Sequence, residues 1–124
     1  MNITGVIEEL KKKYPGKKIF LNNRQNCTEI LCEVDPTSLH PSHSEVISII
    51  DKTDSHHHDK TTEIYKVIKG VLTLIVDGRK YILNDGQSYT IEPGQIHEAI
   101  GDETWVKCSS KPGWKKEDHL VTKK

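Results

Sequence analysis

The residues of this 124-residue chain that could do chemistry are concentrated in one segment, Asp54-Ser-His-His-His-Asp-Lys-Thr-Thr-Glu63. In an extended backbone, successive side chains point to opposite faces, so His56 and His58 share one face and His57 lies on the other. The two imidazoles on the shared face are then roughly 6.6–6.8 Å apart at the backbone. Side chains of that reach can converge on one ion with bonds of about 2.0–2.2 Å, so the spacing predicts a metal-binding pair.

Glu63 follows these histidines in the sequence, and its carboxylate is expected to bind the same ion. Residues 59–62 form a short polar connection, and a tight antiparallel return after it brings Glu63 beside His58. The fourth ligand must come from elsewhere, and His97 is the best candidate because Pro93-Gly94 reverses the chain just before it. We therefore predict four metal ligands: His56, His58, Glu63 and His97.

Other interpretations of the histidines stay open at this point. Polar residues between strands are commonly a solvated loop, and an isolated His-x-His pair favours that interpretation. His57 is expected to point outward. His40, His43 and His119 lie outside the spacing pattern and are expected to be ordinary surface residues.

The predicted ligand set indicates the kind of metal centre. Three imidazoles and one carboxylate leave coordination positions open, as in catalytic or ligand-binding centres rather than closed structural ones. Nitrogen and oxygen ligands suit one divalent ion of iron, manganese, zinc or nickel. Three functions can use such a centre: a metal-dependent isomerase of sugars or sugar derivatives, a non-haem iron dioxygenase, or a non-catalytic small-molecule-binding or sensor protein.

A few residues bear on the choice between these functions, although the sequence assigns no catalytic residue. Arg24 and Arg79 are the only arginines and lie outside the metal segments, which disfavours recognition of a phosphate. Tyr65, Tyr89 and Trp105 could line an apolar pocket, or could equally belong to the core. The candidates for a general base are Glu98, Tyr65 and Tyr89.

The rest of the chain predicts the elements that must position these residues. Ile3, Val6, Ile7 and Leu10 have helical spacing and predict a short amphipathic helix that Pro15-Gly16 ends. Short strands with turns between them predict an all-β domain, and Asp77-Gly78 is a strong hairpin signal. The predicted strands cover residues 19–21, 29–34, 45–50, 63–69, 71–76, 80–83, 88–92, 97–100 and 104–109.

The spacing of these residues resembles the two signature motifs of the cupin superfamily. His56, His58, Glu63 and Gly70 fit the first motif, and Gly86, Gly94 and His97 fit the second. The resemblance implies a cupin jelly-roll β-barrel with the metal inside its mouth, often assembled as a homodimer. It also implies an isomerase-like activity, because small cupins of this layout are described as mannose-6-phosphate isomerase-like.

The expected organisation is an N-terminal amphipathic helix (1–16), a cupin β-barrel (17–110) and a C-terminal tail packed on the barrel (111–124), with Trp114 as its anchor. The 18 basic and 18 acidic residues cancel, which argues against a nucleic-acid partner. The absence of a long apolar stretch argues against a membrane partner. The three cysteines have no framework spacing, so we expect a cytoplasmic protein. The open positions of the predicted metal centre lead us to expect a small-molecule ligand.

Overall fold

The computed structural model describes residues 1–122, which form a mostly β structure with one N-terminal α-helix, as the sequence predicts. The helix α1 spans Ile3–Lys13, and a 3-10 turn spans Lys116–Asp118. The strands are β1 (Lys18–Leu21), β2 (Glu29–Asp35), β3 (Ser44–Lys52), β4 (His56–His57), β5 (Thr62–Lys69), β6 (Leu72–Val76), β7 (Arg79–Leu83), β8 (Ser88–Ile91), β9 (His97–Lys111) and β10 (Leu120–Val121).

The helix α1 packs on the outside of the sheet. The side chain of Asn2 caps its first turn by accepting a hydrogen bond from the backbone N–H of Gly5 at 3.1 Å. Its buried residues, Val6 and Leu10, pack against a core that includes Ile49 and Trp105. Within residues 1–122, no helix combines the length and the apolar character that crossing a membrane requires.

The long strand β9 organises the curled sheet. Along one edge it pairs with β3 and β4, and along the other with β5 and β6, always antiparallel. β1 and β2 extend the sheet beyond β3, while β7 and β8 extend it beyond β6 and β5. A second core fills the inside of the curl; its members include Tyr65, Leu74, Ala99, Val106 and Cys108.

The sequence predicted two strands separated by a turn at Gly101-Asp102, and that turn is absent. β9 continues through these residues, and its pairing with β3 shifts register between Ile50 and Lys52. Residues 101–103 of β9 lie opposite the single residue Asp51 of β3, and across this irregularity the buried positions change from His97 and Ala99 to Val106, Cys108 and Ser110. A Cβ atom on Gly101 would lie 2.7 Å from the carbonyl oxygen of Ile50, so the close approach of the two strands requires glycine here.

The predicted hairpin at Asp77-Gly78 is confirmed. Val76 pairs with Arg79, and the two residues between them have φ values of 49° and 81°. Positive φ at both central positions is the conformation that Asp-Gly favours in a two-residue hairpin.

Candidate metal centre

The structure brings the four predicted ligands together inside the curled sheet. His56 lies in β4, His58 follows that strand, Glu63 is in β5, and His97 begins β9. All four side chains are buried, and their ligand atoms lie within 4.8 Å of one another. His57 is outside this group, and its Nε2 lies 3.3 Å from the Asp59 carboxylate.

The route by which these residues meet differs from the predicted one. We expected a local antiparallel return to place Glu63 beside His58, but β4 pairs with β9 and β10 and not with β5. β5 instead pairs with β8 and β9, which sets Glu63 opposite Ile91 and Ser110. His56 and His97 are direct cross-strand partners, so pairing between distant segments assembles the whole group.

Hydrogen bonds fix the tautomer of each buried histidine. In all three, Nδ1 lies against a backbone carbonyl, which can only accept, so Nδ1 carries the proton. The pairs are His56 with Asp54 at 2.7 Å, His58 with Asp118 at 2.9 Å, and His97 with Gln95 at 3.0 Å. When neutral, each ring then presents the lone pair of Nε2, which is the form that binds a metal.

Several buried polar atoms of this group have no hydrogen-bond partner among residues 1–122. They are Nε2 of His58, Nε2 of His97 and Oε1 of Glu63. The two nitrogens lie 3.8 Å and 3.4 Å from that oxygen. Buried polar atoms without partners are costly, and three of them facing one point fit a divalent cation.

The electrostatics of the group favour a neutral ring at His56 and a carboxylate at Glu63. At His58, burial lowers the pKa, but the Glu63 carboxylate outweighs it and raises this pKa. Burial and the neighbouring His97 ring lower the pKa of His56 to about 3, which keeps this imidazole neutral. Burial raises the pKa of Glu63, but the adjacent His58 and His97 imidazoles, 3.8 Å and 3.4 Å away, outweigh it and hold this pKa below its usual range. The group thus offers neutral imidazole and a carboxylate, the donors that suit iron, manganese, zinc or nickel.

A cavity of about 400 Å³ opens onto His56 and Glu63. This volume lies within the range of small-molecule sites, roughly 300–1,000 Å³. Residues of β1, β2 and β3 and of the C-terminal segment also line the cavity. Its other lining residues are Phe20, Asn22, Glu29, Leu31, Glu33, Val46, Ser48, Thr53, Asp54, Tyr65, Cys108, Ser110, Trp114 and His119.

Residues 50–105, which contain all four candidate ligands, match the cupin domain family. Over these residues the chain is similar to cupin domains. Solved structures similar to this chain include a variant of Streptomyces PAC13 with uridine, at a TM-score of 0.77 and 12% identity over 89% of this chain and 88% of that one. Another structure of PAC13 describes it as a nucleoside dehydratase.

Two further similar structures have the same fold. An RmlC-like cupin from Shewanella frigidimarina has a TM-score of 0.67 and 15% identity over 82% of this chain and 88% of that one. FeII HppE has a TM-score of 0.65 and 15% identity over 77% of this chain and 56% of that one. No curated protein sequence matches the chain. At these identities, the similarities establish the cupin fold alone.

The C-terminal segment contacts the candidate metal centre, which corrects the prediction that His119 is an ordinary surface residue. The His119 ring stacks on His56 at 4.3 Å with an interplanar angle of 20°. The indole Nε1 of Trp114 donates to Nδ1 of His119 at 3.2 Å. The sequence offers no local signal for this contact, because residues 56 and 119 meet only through the pairing of β10 with β4.

Of the three aromatic candidates, only Tyr65 lies at the cavity. Tyr65 lines the cavity, whereas Trp105 packs beneath α1 and Tyr89 packs against Tyr81 at 4.5 Å. Glu29 also lines the cavity, and the sequence did not predict it as a site residue. The alternation of β2 does group Glu29, Leu31 and Glu33 on one face, but nothing in the sequence identifies that face as the inner one.

Proposed function

We propose that this protein is a metal-dependent enzyme that isomerises a small, neutral, hydroxyl-rich carbonyl compound, such as an unphosphorylated sugar or sugar derivative. One observation carries the proposal: the carboxyl group of Glu29 faces the same cavity as His56 and Glu63. A proton-transfer group and a metal-ligand group around one cavity are the two components that such a reaction requires.

In this proposal the protein holds one divalent cation through His56, His58, Glu63 and His97. When bound, the cation acts as a Lewis acid that polarises a carbonyl oxygen. The carbonyls of Asp54, Asp118 and Gln95 keep the three imidazoles in the required tautomer and orientation.

The cavity lining supports a neutral ligand. Glu29, Glu33 and Asp54 join Glu63 there, and the lining within residues 1–122 includes no lysine or arginine. A phosphate would meet carboxylates without a compensating cation, so phosphorylated substrates are disfavoured. Asn22 and Ser48 can hydrogen-bond to hydroxyl groups, while Phe20 and Trp114 offer apolar surface to the carbon skeleton.

Glu29 is the proposed acid–base catalyst. Burial, with the neighbouring Glu63 carboxylate, raises its pKa from 4.5 to about 7. No ion pair of Glu29 occurs within the described residues, so this carboxyl group enters the cavity without a cation to stabilise it. A carboxylate with a pKa near neutrality can both accept and return a proton at physiological pH.

The proposed step conserves atoms and electrons. The Glu29 carboxylate accepts the proton from the carbon beside the carbonyl, and the C–H bonding pair becomes the C=C bond of an enediolate as the carbonyl π pair moves to oxygen. Glu29 then returns its proton to the former carbonyl carbon, while a hydroxyl proton moves from one oxygen to the other. The product is the isomeric ketose or aldose.

Proton NMR in D₂O tests this function. The metal-loaded protein is incubated with a panel of unphosphorylated aldoses and ketoses, and we expect exchange of the proton beside the carbonyl together with formation of the isomer. Glu29→Gln should slow both the proton exchange and the isomer formation by roughly 10²–10⁴-fold without loss of metal. Glu33→Gln, which alters a carboxyl group on the same strand and cavity wall, is the matched control and should retain most of the rate.

Other outcomes distinguish the alternatives. Oxygen uptake by the iron-loaded protein without isomerisation would favour a dioxygenase, which the nitrogen and oxygen ligand set also suits. Saturable binding of a panel compound with neither reaction would favour a non-catalytic binding or sensor protein. An absence of exchange and isomerisation for every compound would contradict the isomerase proposal.

We further propose that the protein is a cytoplasmic homodimer. β1 pairs only with β2 within residues 1–122, so its outer edge can add to another strand, and Phe20 on it is exposed. The three cysteines are free, as suits a reducing compartment. Sedimentation that shows only monomer at high concentration would contradict the dimer.

A further inference from the structure

A second group of metal-ligating side chains lies outside the cavity, at the loop between β2 and β3. Asp35 ends β2, and His40 and His43 lie in the loop that follows. One carboxylate oxygen of Asp35 is 2.7 Å from Nε2 of His40, and the other is 3.8 Å from Nδ1 of His43. One ligand atom from each of the three residues lies within 4.8 Å of the others.

The two imidazoles lie beside one carboxylate, and Nε2 of His40 hydrogen-bonds to Asp35 at 2.7 Å. Their rings stack with centroids 5.4 Å apart and an interplanar angle of 13°. If both rings were protonated, two like charges would face each other at this distance, which is unfavourable. Two neutral rings with one cation between them and Asp35 avoid this repulsion.

Glu45 provides the outer partner that metal-binding histidines commonly have. Its Oε1 lies 3.5 Å from Nε2 of His43, on the opposite side of the ring from Asp35. A carboxylate there favours a proton on Nε2, which leaves the lone pair of Nδ1 directed at the Asp35 side. The Nζ of Lys107 lies 3.9 Å from the same Oε1 of Glu45 and forms an ion pair with it.

Hydrogen bonds to the C-terminal segment hold the loop in place. Gly113 donates its N–H to the carbonyl of Pro41 at 2.9 Å, and the Thr37 hydroxyl donates to the carbonyl of Trp114 at 2.8 Å. Trp114 donates its N–H to the hydroxyl of Ser44 at 2.9 Å. The ligands are therefore carried by a backbone that is fixed on both sides of the loop, which lowers the entropy cost of binding an ion.

From these contacts, we propose that Asp35, His40 and His43 form a second site for a divalent transition-metal ion of the Zn²⁺, Co²⁺ or Ni²⁺ type. Two imidazoles and a carboxylate are the donors these ions prefer. The side chains are partly exposed, so water can complete the coordination. The site is independent of the proposed isomerase function, because none of its residues lines the cavity.

Calorimetric titration of the EDTA-stripped full chain with Zn²⁺ tests the site. The Asp35 carboxylate raises the pKa of His40, so protons compete with the ion and the titration is run at about pH 8. We expect the wild-type protein to bind a second equivalent of Zn²⁺ beyond the one assigned to the cavity ligands. His40→Ala and His43→Ala should each remove that equivalent, and Glu45→Gln should weaken it about 10–100-fold.

Two control variants make the assignment specific. Ser42→Ala changes the same loop without touching a ligand and should keep both equivalents, and His97→Ala should lose only the cavity equivalent. A wild-type protein that binds a single equivalent would overturn the site, as would a second equivalent that survives His43→Ala. A second Kd weaker than about 1 mM would mark an adventitious ion only, and would also overturn it.

Discussion

The backbone carbonyl of Asp118 accepts a hydrogen bond from Nδ1 of His58 at 2.9 Å, across 60 residues of chain. The Asp118 carboxylate also accepts the backbone N–H groups of Asp59, Lys60 and Thr61 at 2.9, 3.1 and 3.2 Å. One residue of the C-terminal segment therefore orients a candidate ligand and fixes the connection that leads to Glu63.

Asp118→Asn should weaken metal binding at the cavity. The backbone carbonyl remains, but the amide group replaces one of the two acceptor oxygens that hold the connection. We expect the affinity for Zn²⁺ to fall about 10–100-fold, as is typical when the support of metal ligands is altered. Competition with a chelating dye measures the change. Glu117→Gln, a neutralised carboxyl group at the adjacent position, is the control, and equal affinities for the two variants would contradict this role of Asp118.

Gly101→Ala should destabilise the sheet. A Cβ at this position would lie 2.5 Å from Oγ1 of Thr104 and 2.7 Å from the carbonyl oxygen of Ile50, so β3 and β9 would have to separate. Overpacking of this kind costs about 1–3 kcal/mol of unfolding free energy, measured by urea denaturation. Ile100→Ala, at the exposed neighbouring position, should change it by only about 0.5 kcal/mol. A Gly101→Ala protein as stable as the wild type would refute the close approach of the strands.

Glu29 should make the stability of the metal-free protein depend on pH. Its pKa rises from 4.5 to about 7 on folding, so between these values the folded chain binds a proton that the unfolded chain releases. The unfolding free energy should therefore fall as the pH rises through this window, by up to about 3 kcal/mol. Glu29→Gln removes the titrating group, and its stability should decline less than that of the wild type between about pH 5 and pH 8. If the unfolding free energies of the two proteins changed with pH in parallel, this would contradict the raised pKa of Glu29.

The elements of the fold were largely predictable because their signals are local. Helical spacing predicted α1, which ends at Lys13 just before Pro15-Gly16, and Asp77-Gly78 identified its hairpin. One exception is Gly101, which the sequence cannot distinguish from a turn glycine. Its role depends on Thr104 and on the carbonyl of Ile50 in another strand.

The candidate ligands were predictable for a different reason. His56, His58, Glu63 and His97 match a known spacing, yet the geometric explanation for their convergence was wrong, because β4 pairs with β9 rather than with β5. Residues that lack such a spacing, among them Glu29 and His119, could not be assigned. They reach the cavity through the curl of the sheet and the return of the C-terminal segment, which are properties of the whole chain.

The metal content of untagged protein, purified without added metal and measured by elemental analysis, tests the central claim most directly. We expect the wild-type protein and His57→Ala to contain one more equivalent of divalent transition metal than His56→Ala, His58→Ala or His97→Ala. Equal metal content in the wild-type and His97→Ala proteins, or a large loss in His57→Ala, would contradict the assignment of the centre.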